Sequence, residues 1–168
     1  MLTMQEEIVK EFMYNQFIPA LHEVLSRGDK EKYAKWNGNC CRQTAIYGAY
    51  MLEKFLPSYN WKVWCGEMDD IVNGKEVHYD HAWIFGSDGN KRLLVDLARN
   101  YRERLFMEVK TNSYPKDNEE YKNMVITSRE QLDWKKMLKE DNEYYTGLKG
   151  EEIINQITGI IRNNVEKI

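Results

Sequence analysis

Two short stretches carry residue types that could do chemistry together. Asn39-Cys40-Cys41-Arg42-Gln43-Thr44-Ala45 offers two adjacent thiols, and Asp80-His81-Ala82-Trp83-Ile84-Phe85 offers an imidazole. A cysteine beside a histidine can pass its proton to the ring, and the thiolate is the nucleophilic form. A carboxylate behind the ring would hold its tautomer and orientation. Asp96, in Leu93-Leu94-Val95-Asp96-Leu97, is the natural candidate. Asp88-Gly89 between two alternating apolar runs signals a two-residue β-hairpin. A turn centred there sets His81 directly opposite Asp96 on one face.

The elements around these residues decide whether they meet. Asn37-Gly38-Asn39 is turn chemistry, and Asn39 is placed to cap a helix opening at Cys40. Pro57 predicts that this helix stops near Phe55. Its buried stripe reads Cys41, Ala45, Gly48 with Ala49, and Leu52, small enough to lie close to a sheet. Cys40 is turned about 100° from that stripe, toward Thr44, Tyr47 and Met51. Cys41 is therefore the preferred nucleophile and Cys40 the alternative. The helix start also brings unpaired backbone N–H groups and a positive dipole end, which favour a thiolate. A backbone N–H near Cys41 is the natural oxyanion donor, with Asn39 or Gln43 adding a side chain.

Trp61 to Met68 alternates as a strand does, and Asn73-Gly74 predicts a second hairpin. In that register Gly66 faces His81, Trp64 faces Trp83 and Met68 faces Tyr79, giving a three-stranded antiparallel meander. Trp83 and Tyr79 flank His81 on its own face and could wall a substrate cleft or simply fill a core. His78 points to the opposite face, and Cys65 joins no arrangement.

The rest reads as scaffold. Met4 to Ser26 has helical periodicity interrupted at Pro19, with His22 a packed or surface residue, and Asp29 to Trp36 is a short helix or turn. Arg99 to Thr111 is either a helix or a loop feeding a strand at Leu105 to Val109. Asn112 to Asn123, with Pro115, reads as an exposed loop, and Met124 to Thr127 as a short strand. Ser128 with Gln131 suggests a capping box for a helix through Leu138. Glu151 to Ile168 is helical, with Ile154, Ile157, Ile161 and Val165 as its apolar stripe.

At 168 residues one domain is expected. With 24 basic against 27 acidic residues the net charge is −3, and no basic run implies a nucleic-acid partner. No apolar run has bilayer length and the N-terminus is not signal-like, so the expectation is a cytoplasmic chain away from membranes, with export as an effector the alternative. Three cysteines, two of them adjacent, read as reduced thiols. Paired C-x-x-C or H-x-x-x-H spacings are missing, so a metal site from Cys40 or Cys41, Cys65 and His78 or His81 is the weaker alternative.

These residues resemble a known group. Cys41-Arg42-Gln43-Thr44-Ala45 is similar to the nucleophile segment of the transglutaminase-like branch of the papain-like cysteine enzymes, where a cysteine opens a helix and an alanine follows four residues later. His81-Ala82-Trp83-Ile84 resembles that group's His-Ala-Trp strand, and Val95-Asp96-Leu97 its Val-Asp-Pro strand end, with leucine in place of proline. The group's Gly-x-Cys fits Gly38-Asn39-Cys40 instead, so the two halves of the motif choose different cysteines. The likeness covers roughly residues 37 to 98. It implies an α+β papain-like fold with extra terminal helices, Cys41 as nucleophile, His81 as base, Asp96 as orienting acid, and no cofactor. The substrate class it implies is a protein or peptide amide, cleaved, deamidated or transferred. A catalytically silent binding module of the same fold is the competing expectation.

Overall fold

The computed structural model describes residues 1–35, 39–98 and 101–167. Five strands, β1 Asn60–Val72, β2 Lys75–Ser87, β3 Arg92–Asp96, β4 Leu105–Val109 and β5 Val125–Leu132, form one antiparallel sheet in the order β4-β3-β2-β1-β5. Asn73 and Gly74 have φ of 52° and 77°, the left-handed pair that a two-residue hairpin turn requires. That turn sets Gly66 opposite His81, Trp64 opposite Trp83 and Met68 opposite Tyr79, the register read from the sequence.

The second hairpin departs from expectation. Ser87 pairs with Arg92 and Ile84 with Val95, so Asp88 to Lys91 form a longer loop. Asp88 Oδ1 accepts the backbone N–H groups of Asn90 (2.8 Å) and Lys91 (2.6 Å), closing a wider turn around Gly89 at φ 98°. The register is displaced by two residues, and continuing it brings Asp96 level with Trp83 instead of His81. A displacement of two keeps every side chain on its face, so His81 and Asp96 become diagonal neighbours on the same side.

The helices α1 Met4–Phe12, α2 Ile18–Ser26 and α3 Lys30–Lys35 precede the central helix α4 Cys41–Phe55. Between α1 and α2 the chain widens into a π turn, Met13–Phe17, where Ile18 N–H reaches back to Met13 O. Pro19 has no N–H to continue the ladder and its ring would strike the preceding turn, which accounts for the widening. α4 opens at Cys41 with Cys40 in the capping position and no side-chain cap, so Asn39 does not cap it; Asn37 and Gly38 lie outside the described residues. The helix ends at Phe55, ahead of Pro57 as expected. Its burial is wider than one stripe and takes in Thr44 through Ala49, Met51 and Leu52. At Gly48 an added Cβ would come within 2.9 Å of Ile84 Cδ1 and 3.0 Å of Leu97 Cδ1, which measures how closely α4 lies on the sheet.

Beyond the sheet, one expectation fails and another holds in part. Ser128 and Gln131 belong to β5, and the following helix, α5 Trp134–Glu140, is capped by Asp133. In the last helix, α6 Gly150–Glu166, Ile153 and Ile157 are buried, whereas Val165 is 56% exposed. Ile154 and Ile161 are half-buried and pack against the same core, so the stripe read by spacing holds except at Val165 and is widened by Ile153.

Apolar residues collect on both faces of the sheet. On one side Met13, Phe17 and Leu52 pack with Val63, Ile84 and Val95. On the other, Met68, Trp83 and Leu94 meet Tyr114, Tyr121 and Met124. The segment 112–123 is therefore a cover and not an exposed loop, because its two tyrosines bury their rings while the polar residues between them face outward. Among the described residues no helix is long and apolar enough to cross a membrane.

Candidate active site

His81 and Asp96 stand on the face of the sheet that carries Tyr79, Trp83 and Leu94, away from the main body of α4. Pairing between β2 and β3 ends at Ile84, short of His81. Beyond that end the start of α4 comes within reach of the ring, and Cys41 and His81 line the same cleft. His81 Nε2 donates to Asp96, at 2.9 Å from Oδ1 and 2.8 Å from Oδ2. Both residues are buried, at 5% and 3% exposure. The carboxylate fixes the proton on Nε2 and leaves Nδ1 turned toward the thiol. Nδ1 is buried without a conventional hydrogen-bond partner. Cys41 is the group acting on that side of the ring, close enough to favour its protonation. Burial disfavours a charged imidazole, but the Asp96 charge and hydrogen bond and the nearby Cys41 outweigh it, raising His81 to about 10.

Asp96 has a second partner that sequence reasoning missed. The Tyr114 hydroxyl donates to Asp96 Oδ2 at 2.7 Å, and its ring packs edge-on to Trp83 at 5.8 Å between centroids. Burial, together with the Asp96 charge, holds the Tyr114 phenol well above its usual range, so it stays a donor. The only sequence signal was an aromatic residue set in a polar run beside Pro115. Arg102 is the other omission. Its Nε and Nη2 grip Asp70 Oδ2 and Oδ1 at 3.0 and 2.7 Å, and Tyr79 donates to the same carboxylate at 2.9 Å. Tyr79, Arg102 and Met124 thereby close the space behind His81 and Asp96, leaving a gap too small for a water molecule.

The remaining candidates separate cleanly. Cys40 is 1% exposed in the helix-side core, and burial pushes its thiol up to about 11. The structure thus puts Cys41, and not Cys40, beside His81. Gln43 and Asn39 line a cavity that adjoins Cys41, and α4 opens without a side-chain cap, so the first backbone N–H groups have no intrahelical partner. Trp83 is 1% exposed and fills the second core, so it walls neither cavity beside Cys41. Cys65 accepts a weak hydrogen bond from Arg42 at 3.9 Å, and exposed His78 pairs with Asp69 at 2.6 Å on the other face. Among the described residues no three His, Cys, Asp or Glu side chains converge as metal ligands would.

Cys41, Arg42 and Asp80 form a ridge between two cavities. One, of about 430 Å³, is bounded by α4, α5 and the segment 141–145. The other, of about 360 Å³, runs from Cys41 over Gly66 to Ser128, Arg129 and Glu130 of β5. Gly66 is required there, since an added Cβ would come within 2.2 Å of Ser128 O. No family model, no curated protein and no solved structure matches this chain.

Proposed function

We propose that this protein is a cysteine-dependent acyl-transfer enzyme. More narrowly, it acts on amide bonds of a protein or peptide, with the papain-like architecture of the transglutaminase-like branch. One observation carries the reading: a buried His81 held by Asp96 on one nitrogen, with its other nitrogen free toward a thiol at the start of a helix.

The Cys41 sulfur attacks the amide carbonyl carbon, and the carbonyl electrons move onto oxygen beside the free N–H groups of α4. The tetrahedral species collapses as the C–N bond breaks, and the His81 proton goes to the departing nitrogen. The product is a thioester on Cys41 and a free amine. Water, or a second amine, then attacks the thioester. His81 takes its proton, the C–S bond breaks and Cys41 is restored. Asp96 and Tyr114 act through His81 and are positioning residues.

The test is the rate of iodoacetamide alkylation against pH, mapped separately to Cys40, Cys41 and Cys65. Preferential labelling of Cys41 below the free-thiol pKa of about 8.5, lost in His81→Ala, is the expected result. Slow, uniform labelling that ignores His81 would overturn the enzyme reading and leave a binding module.

A further inference from the structure

Cys65 has no part in the acyl transfer, yet it lines the cleft of about 360 Å³ together with Cys41. Both thiols are free and half-buried, and they come from different elements: Cys41 opens α4 and Cys65 lies in β1. β1 and β2 pair so that Gly66 faces His81 and Cys65 faces Ala82, which sets Cys65 one position from the residue whose ring meets Cys41. From the other side Arg42, the residue after Cys41, reaches Cys65 Sγ at 3.9 Å. Chain neighbours of both Cys41 and His81 therefore meet Cys65. Cys40, by contrast, is sealed in the helix-side core and lines neither cavity beside Cys41.

The two thiols of the cleft stand in different surroundings. Cys65 Sγ donates to Glu130 Oε1 at 3.6 Å, a carboxylate placed to take its proton. Burial, opposed by Arg42 and reinforced by Glu130, raises the Cys65 thiol above its usual range, so it rests protonated. Cys41 is the thiol that meets His81. A sulfur activated by an imidazole in an open cleft, with a second thiol beside it, has the makings of a reversibly oxidised pair.

We propose that Cys41 is a site of reversible oxidation by a hydroperoxide, with Cys65 as the thiol that resolves it into a Cys41–Cys65 disulfide. The proposal rests on the acyl-transfer reading through one part of it, the Cys41–His81 pair. With hydrogen peroxide, the Cys41 thiolate attacks one oxygen and the O–O bond breaks. The departing hydroxide takes the His81 proton and leaves as water. Cys41 is then a sulfenic acid, its sulfur oxidised and the peroxide reduced. Cys65 yields its proton to Glu130 and its sulfur attacks the Cys41 sulfur. The S–O bond breaks, and the hydroxide takes that proton and leaves as a second water. An external dithiol reduces the bridge and returns both thiols. While it lasts, the bridge withholds the nucleophile and spares it from irreversible oxidation.

The experiment treats the whole protein with hydrogen peroxide, blocks remaining thiols with N-ethylmaleimide, and maps the peptides without reduction. The expected product has lost two hydrogens by intact mass and joins the Cys41 and Cys65 peptides. Iodoacetamide labelling of Cys41 should be lost with it and recovered in full by dithiothreitol. Cys40→Ser should form the same bridge. Cys65→Ser should instead leave a sulfenic acid on Cys41, trapped by dimedone, that passes on to a sulfinic acid dithiothreitol does not reverse. Should Cys65→Ser fail to fold, the map of the unaltered protein decides alone. A Cys40–Cys41 bridge, a bridge between two molecules, or a Cys41 that peroxide leaves unbridged would overturn the proposal. Iodoacetamide labelling without peroxide tests the other reading separately: if it shows no dependence on His81, the acyl-transfer reading has failed. Fast, His81-dependent labelling with no Cys41–Cys65 bridge discards the redox pair alone.

Discussion

Replacing Tyr114 by phenylalanine removes one oxygen and nothing else. That oxygen donates to Asp96 Oδ2 at 2.7 Å in a place that is 2% exposed, so water cannot take over the role. Hydrogen bonds to charged groups contribute about 1.5–3 kcal/mol, so Tyr114→Phe should destabilise the protein by roughly 2 kcal/mol. For a chain of this size that lowers the melting temperature by about 4–8 °C. The chemistry should shift too. Asp96 without its phenol donor concentrates its charge on His81, which then holds its proton to higher pH. The alkaline inflection in the pH profile of Cys41 alkylation, where the imidazolium is lost, should move up by about half a unit to one unit, since one unit corresponds to about 1.4 kcal/mol. Calorimetry and iodoacetamide kinetics read the two effects. Tyr121→Phe is the control, because that ring packs 5.5 Å from Tyr114 in the same cluster. A stability change below about 0.5 kcal/mol with an unmoved inflection would refute the role assigned to the hydroxyl, since surface-type substitutions fall in that range.

Four further outcomes follow from the geometry. Cys40→Ala should cost on the order of 1 kcal/mol of lost burial and leave Cys41 the labelled thiol, as peptide mapping would show. His81 is raised above its unfolded value of about 6.5. Its contribution to stability is therefore complete below that pH and is lost as pH rises through about 10. Urea midpoints should accordingly fall across that alkaline window in the unaltered protein and fall less in His81→Gln. Gly66→Ala should cost about 1–3 kcal/mol or more, because its Cβ has no space against Ser128 O, and it should slow alkylation by narrowing the cleft. Arg102→Met strands the buried Asp70 charge and should cost about 3–5 kcal/mol in chemical denaturation, with Asp70→Asn on top of it recovering part of the loss.

What was legible in the chain was local chemistry with a short reach. Asn73-Gly74 defines its turn almost alone, because two consecutive left-handed residues admit few alternatives, and the whole β1–β2 register follows from it. Pro57 ends α4 for an equally local reason. Asp88-Gly89 misled because Asp88 could spend its carboxylate on Asn90 and Lys91, and nothing in the dipeptide says which turn wins. The choice between Cys40 and Cys41 was open in the motif and is separated in space, where one thiol is sealed in the core and the other lines the cleft. Tyr114 and Arg102 were illegible because their partners, Asp96 and Asp70, lie far away in the chain. Ser128-x-x-Gln131 has the form of a helix start, yet the open edge of β1 offered those residues a ladder of backbone hydrogen bonds, and tertiary pairing prevailed over local signal.

The two-residue slip in the Ser87–Arg92 hairpin has a consequence for how this loop can vary. Side chains alternate across a strand, so loop length here is quantised in twos as far as the face carrying His81 is concerned. Removing or adding a pair of residues between Ser87 and Arg92 slides Asp96 along β2 but leaves it on the side of His81 and Tyr114. Removing or adding one, unless a bulge absorbs it, turns Asp96 inward against α4 and expels Val95 and Leu97 from the helix-side core. Parity, more than identity, is what this loop must preserve. Libraries of loop variants built here should sort into functional and non-functional classes by whether their length change is even or odd.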